Sequence, residues 1–196
     1  MSRAPEVWTD DLQKMVEECV ESRRVYDGRV VNLRVDSVRL SGGRIAKREV
    51  VEHRPAVVVL AENDAKQILL IRQFRYPAGE VLIELPAGIV EDGEDFASAA
   101  VRELQEETGW KPGSMTKVAE FYTSPGFCGE FLALFYAEGL VEEKLPADDD
   151  EFIIPKFASA EEVERLLEEG AVRDCKTLLG LFWWLNKDCR KKPAGR

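Results

Sequence analysis

The segment GIVEDGEDFASAAVRELQEETGW, Gly88–Trp110, restricts this chain more than any other stretch. Its apolar and small residues recur at helical spacing from about Phe96 to Thr108, and Gly109 with Pro112 beyond supplies a stop. At 100° per residue, Glu103, Glu106 and Glu107 fall within an arc of about 100°, with Ala97, Ala100, Val101 and Leu104 on the packing side. Like charges at i,i+4 cost a few tenths of a kcal/mol, and a cation set against them converts that repulsion into binding. Oxygen-only donors of this kind suit Mg²⁺ or Mn²⁺. Arg102, four residues before Glu106, can hold a carboxylate in place. Most Glu-rich helix faces are simply solvated. The full pattern is Gly88, five residues, Glu94, seven residues, Arg102-Glu103-Leu104, one residue, Glu106-Glu107, one residue, Gly109-Trp110. Any seven of these positions taken together would occur by chance on the order of 10⁻⁸ per starting point at ordinary residue frequencies.

Around this helix the 196 residues suggest one domain with a small extension, and 45% apolar with 33% charged residues is globular rather than disordered composition. Leu12, Met15, Val16, Cys19 and Val20 predict an amphipathic helix near residues 10–24, stopped at Tyr26-Asp27-Gly28. VVNLRVDSVRL and RIAKREVVEH alternate about Ser41-Gly42-Gly43, which predicts a hairpin with one solvated face. AVVVLA and QILLIRQF, joined by Glu62-Asn63-Asp64, are dense enough for a central sheet, and EVLIELPAG follows as another strand. TKVAEFY and FLALFYAEGL flank the loop TSPGFCGE, EFIIPKFA is the last strand, and helices near 159–169 and 174–187 close the chain. Mixed order without strict alternation predicts an α+β fold, a mixed-sheet sandwich. The expected division is an N-terminal helix and antiparallel β extension over 1–53, followed by the main domain over 54–196.

A formal charge of −10 repels phosphate backbones, so nucleic-acid polymers are poor partners, while a metal ion or a local Arg cluster still admits a small phosphorylated ligand. Leu178–Leu185 is too short to span a bilayer, and MSRAPEVWTDD lacks a signal-peptide core, so a cytoplasmic protein without membrane contact is expected. The four cysteines form no CxxC and read as buried thiols; with His53 the single histidine, a zinc site is disfavoured.

The Gly88–Trp110 spacing resembles the signature of the Nudix hydrolases, without departure. That resemblance implies an α/β/α sandwich in which the signature forms loop, helix and loop, and water attack on a phosphorus of a nucleoside diphosphate derivative. By the same likeness Glu103, Glu106 and Glu107 match metal-binding glutamates, Glu94 and Arg102 brace the loop and helix, and Gly88 and Gly109 need backbone freedom. RQFRYPAGEVLIELPAG is similar to the stretch before the signature in ADP-ribose pyrophosphatases and related nucleoside diphosphate sugar hydrolases. This implies Arg75 and Glu84 in substrate binding and the Ala87 carbonyl as a metal ligand; an Arg fork suits phosphate oxygens. In TSPGFCGE, Pro125 stands sixteen residues after Gly109, as in that subgroup. Pro125 and Gly126 are thereby expected at the substrate, and Glu130 as the base or a further metal ligand, with Glu106 and Arg102 also in the catalytic set. REVVEH and DCKT resemble the same subgroup, which implies a homodimer whose hairpin region completes the adenosine pocket. Trp8 is a candidate for stacking on adenine, or else an N-terminal packing anchor.

The expected reaction is Mg²⁺-dependent hydrolysis of ADP-ribose to AMP and ribose 5-phosphate. The alternatives are hydrolysis of other nucleoside diphosphate sugars such as GDP-mannose or of oxidised nucleoside diphosphates, and a non-catalytic nucleotide-binding protein.

Overall fold

A computed structural model describes residues 12–146 and 152–187. Two compact units emerge, one reaching to Arg54 and including Ser124–Glu130, the other comprising Pro55–Thr123 and the chain from Phe131 onward.

The first unit carries a single helical turn, α1 (Leu12–Met15), then β1 (Glu18–Asp27), β2 (Val31–Arg39) and β3 (Ile45–His53), an antiparallel sheet in that order. The predicted β2–β3 hairpin is present. Of the predicted helix over 10–24, the described residues form only the turn Leu12–Met15, because residues 18–27 form a strand; residues 10 and 11 lie outside the described residues. The helical apolar stripe has no core to face: Met15, Val16 and Val20 are exposed. Pairing with β2 satisfies the backbone instead, and the cross-strand pair Arg39 Nε to Glu18 at 3.2 Å supports it, while Arg24 reaches past β2 to Glu52 of β3 at 2.8 Å. Tyr26 and Asp27 therefore end a strand rather than a helix, and the hairpin turn begins at Gly28. Gly28 N–H donates to Val31 O and to Asn32 Oδ1, and a Cβ there would come within 2.8 Å of the Val31 carbonyl oxygen. The loop Ser124–Glu130 joins this unit through two backbone bonds, Val51 N–H to Phe127 O at 2.8 Å and Gly129 N–H to Val51 O at 2.9 Å.

The second unit holds β4 (Ala56–Ala61), β5 (Ile68–Arg75), β6 (Glu80–Glu84), β7 (Ala87–Ile89), α2 (Phe96–Thr108), β8 (Trp110–Lys111), β9 (Ser114–Tyr122), β10 (Phe131–Glu138), β11 (Val141–Glu142), β12 (Ile153–Ala158), α3 (Ala160–Glu168) and α4 (Cys175–Asn186). One sheet runs β7-β4-β10-β9, mixed because β4 and β10 are parallel; the other runs β12-β5-β6 and is antiparallel, and β11 pairs with β8. The fold is the expected α+β sandwich with a mixed sheet. Two expectations change. β4 and β5 do not share a sheet; past the end of β4 a single bridge, Glu62–Ile68, links the two stretches, and their side chains share both cores. EVLIELPAG is two strands in different sheets, divided at Leu85-Pro86. Pro86 has no N–H for a ladder, and its carbonyl accepts from Val59 N–H at 2.8 Å as the chain changes sheets.

β4 is buried along its whole length because both faces are covered. Val58 and Leu60 pack with Leu132, Leu134, Leu181 and Trp184, while Val57 and Val59 pack with Ala99, Ala100 and Leu104 of α2. The buried residues of α2 are Ala99, Ala100, Leu104 and Gln105; Ala97, predicted on the packing side, is exposed, being one turn closer to the helix start. The three described cysteines also depart from expectation, and Cys189 lies outside the described residues. Cys19 and Cys175 are exposed and Cys128 half-buried, since they lie on an outer strand, a helix start and a loop rather than in either core. Among the described residues no helix is long and apolar enough to cross a membrane.

Candidate active site

α2 is held at both ends by local chemistry. Asp95 caps its start, accepting from Ala97 and Ser98 N–H at 2.9 and 3.0 Å, and Gly109 ends it in the left-handed region at φ 79°. The expectation that Gly109 needs backbone freedom is met. Gly88 differs: it is absent from the glycines with positive φ, and what it requires is space. A Cβ on Gly88 would stand 2.0 Å from the Glu103 carboxyl carbon. Gly88 is thus glycine because the Glu103 carboxylate lies on its Cα. Glu107, one turn along, accepts the Ala87 N–H at 3.0 Å. Two of the helix carboxylates therefore close onto the Ala87-Gly88 backbone of β7.

Arg102 ties this helix to the preceding loop. Its guanidinium forks onto Glu94 (Nε 3.1 Å, Nη2 3.0 Å), reaches Glu103 at 2.8 Å and Glu106 at 2.9 Å, and donates to the Ile89 carbonyl at 3.0 Å. Glu94 holds Arg102 well above its usual range, and Arg102 in turn lowers the Glu94 carboxyl. Glu94 also accepts from Glu91 N–H at 3.1 Å, so the loop between β7 and α2 is pinned. Among the described residues no three His, Cys, Asp or Glu side chains form a metal cage by themselves. The oxygen donors are instead divided between Glu103, Glu106, Glu107 and the Ala87-Gly88 backbone, a set whose chemistry fits Mg²⁺ or Mn²⁺.

The second charged group adjoins this strip. Arg75, at the end of β5, forks onto Glu84 of β6 through Nε and Nη2, both at 2.8 Å. Arg75 and Glu84, expected together at the substrate, are thus brought together by pairing with each other; Nη1 of Arg75 stands outside that fork. Glu84 is 1% exposed. Burial pushes its carboxyl up, but Arg75 and Lys176 outweigh this and lower it. Glu84 raises Arg75, and the charge of Glu107 adds to the effect. Lys176 was not among the residues expected here. It lies 92 positions after Glu84, in DCKT, and no spacing rule links the two.

The loop residues expected at the substrate belong to the first unit. Gly126 lines a cavity of about 700 Å³ there, with Arg23, Lys47, Arg48, Glu49 and Phe127 also on its walls. Glu130 stands 3.6 Å from Nδ1 of His53, and Pro125 is in the same loop. Trp8 lies outside the described residues.

Residues 52–178 match the model of the NUDIX domain, and residues 17–51 match that of the nucleoside diphosphate sugar hydrolase N-terminal domain. The chain is 40% identical to an ADP-ribose pyrophosphatase of Bacillus subtilis, over 85% of this chain and 91% of that protein. It is 35% identical to a GDP-mannose pyrophosphatase of Cronobacter sakazakii, over 76% and 83%. A crystal structure of an ADP compounds hydrolase superimposes with a TM-score of 0.80 at 20% identity, covering 89% of this chain and 94% of that one, a likeness of fold. With its signature helix closed onto Ala87-Gly88 and the family match covering most of the sequence, the chain belongs to the Nudix hydrolases.

Proposed function

We propose that this Nudix hydrolase cleaves the diphosphate of ADP-ribose, giving AMP and ribose 5-phosphate. The observation that carries this reading is the continuous strip Arg75–Glu84, Ala87–Glu107, Gly88–Glu103 and Arg102–Glu94, which sets a cationic fork beside oxygen donors. The names of the relatives favour ADP-ribose over other substrates with this chemistry.

Glu103, Glu106, Glu107 and the Ala87 carbonyl would hold Mg²⁺, with Mn²⁺ as a substitute. When bound, the metal neutralises diphosphate charge and makes a water more acidic. The chain's own residues do the rest. Arg102 keeps Glu103 and Glu106 aligned, and Arg75 binds phosphate oxygens. Glu130 accepts the proton of the attacking water as its oxygen bonds to phosphorus and the P–O bond to the bridging oxygen breaks. Pro125 and Gly126 contact the substrate. Positioning and charge stabilisation supply most of the acceleration in reactions of this kind.

The acting form is proposed to be a homodimer in the cytoplasm. Val20, Val25 and Tyr26 of β1 are exposed large apolar side chains, which a second copy would cover. Light scattering that returns a monomer at working concentration removes this part.

The likeness to GDP-mannose pyrophosphatases favours a second reading, the hydrolysis of GDP-sugars by the same site. A panel of nucleoside diphosphate sugars hydrolysed in H₂¹⁸O, with products weighed by mass spectrometry, decides between them. The ADP-ribose reading expects AMP and ribose 5-phosphate with one labelled oxygen at the best rate of the panel. Turnover of GDP-mannose alone transfers the assignment to the second reading, and tight binding without turnover makes the chain a nucleotide-binding protein.

A further inference from the structure

We propose that Lys176 is a positioning residue for the diphosphate, acting through Glu84 to hold Arg75 in its binding orientation. The inference rests on the reading of Arg75 as a phosphate-binding residue.

The geometry is a chain of alternating charge across three elements. Arg75 on β5 occupies both oxygens of Glu84 on β6, and Lys176 on α4 reaches Oε2 of the same carboxylate at 2.5 Å. Asp174 Oδ2 lies 3.0 Å from the same ammonium. Glu84 is 1% exposed and Lys176 12%, against 37% for Arg75, so only the far end of the chain opens substantially to solvent. A carboxylate buried this deeply keeps its charge only while its partners remain, and each oxygen needs donors to fix the plane of the group. Arg75 supplies one donor to each oxygen, and Lys176 adds a second to Oε2. Without Lys176 the Glu84 carboxylate loses charge compensation and is held by Arg75 alone, so the fork that should orient Arg75 becomes the group that Arg75 must orient.

The ammonium is itself placed by the start of α4. Asp174 caps that helix, accepting Thr177 N–H at 3.0 Å and Thr177 Oγ1–H at 2.6 Å. Thr177 Oγ1 accepts Leu85 N–H at 2.8 Å, which fastens the first turn of α4 to the residue following Glu84. Leu85 and Thr177 are completely buried, so this joint is firm. Both groups bonded to Lys176 are carboxylates of the protein. Its place in the strip is therefore behind Arg75, as a support rather than a direct phosphate contact.

The test is a double-mutant cycle on the full chain with ADP-ribose at saturating Mg²⁺, using Arg75→Gln, Lys176→Met and the double variant, with Lys176→Arg as the conservative control. Lys176→Met is expected to raise KM roughly tenfold, the loss of one charge-assisted bond, with kcat changed less than threefold. In the Arg75→Gln background the same substitution is expected to raise KM less than twofold, because nothing is left to orient. Lys176→Arg should retain KM within about threefold, since it restores the cation beside Glu84. An equal rise of KM in both backgrounds, or no rise in the first, overturns the proposal. If Arg75→Gln itself leaves KM unchanged, the underlying reading of Arg75 fails, which is a separate outcome. Should Lys176→Met not fold, Lys176→Gln, a polar side chain one bond shorter and without the charge, takes its place under the same criteria.

Discussion

An alanine at position 88 would put its methyl carbon 2.0 Å from the Glu103 carboxyl carbon and 2.1 and 2.3 Å from the two oxygens. Carbon atoms rest about 3.5–4.0 Å apart, so the carboxylate must withdraw by about 1.5–2 Å. The backbone tolerates the change, because Gly88 is an ordinary strand position without positive φ. Reducing the freedom of the unfolded chain favours the variant by about 0.4–1 kcal/mol, and forcing Glu103 from its rotamer costs about 0.5–1.5 kcal/mol. Stability should therefore change little. Activity should not survive as well: a misplacement of about 1 Å in a catalytic group can cost about 100-fold, or roughly 3 kcal/mol of barrier. The assay pairs kcat/KM for ADP-ribose at saturating Mg²⁺ with thermal unfolding of the same preparation. The expected result is a loss near that of Glu103→Gln with Tm almost unchanged. Activity within threefold of the parent would refute the role given to the Glu103 carboxylate, and a large fall in Tm would show that Gly88 serves the fold.

Arg102→Lys replaces a planar fork by a point charge that cannot serve Glu94, Glu103, Glu106 and the Ile89 carbonyl together. Urea unfolding in EDTA should show a loss of about 1–2 kcal/mol for these half-exposed pairs, and an unchanged midpoint would contradict the bracing role. Glu62 is held at about 2: burial raises its carboxyl, but Lys187, Lys66 and Trp184 more than reverse this. A depressed carboxylate stabilises the fold above its unfolded value of 4.5 and loses that contribution as pH falls toward 2. The full contribution is about 3 kcal/mol, so the stability gap between the parent and Glu62→Gln should narrow by about 1–1.5 kcal/mol from pH 6 to pH 3.5. A gap independent of pH rules this out. Leu104→Ala empties a fully buried position between α2 and β4 and should cost about 2–5 kcal/mol in urea unfolding; a loss below 1 kcal/mol would mean that the α2 interface is not the core contact described.

The elements whose signal is local were legible in the sequence. α2 ends at the glycine that signalled its stop, and its carboxylate face follows from 3.6-residue periodicity alone. β4 reads as a strand buried on both faces because nothing polar interrupts AVVVLA. The family, too, was written in one segment of chain, since the loop and helix that gather its glutamates are contiguous. Long-range pairing was not legible. Residues 18–27 carry a helical spacing of apolar residues, but β2 claims their backbone, and a periodicity has meaning only where a core exists to receive it. The break at Leu85-Pro86 required knowing that β5 and β4 lie in different sheets. Gly88 was expected for its backbone angle and is required for its missing Cβ, because the chain brings Glu103 against it. Lys176 meets Glu84 across 92 residues, a contact made by the docking of α4 on the end of β6. Periodicity and spacing determined which residues carry the chemistry; tertiary packing decided which side chains support them, because such contacts join residues that no local pattern relates.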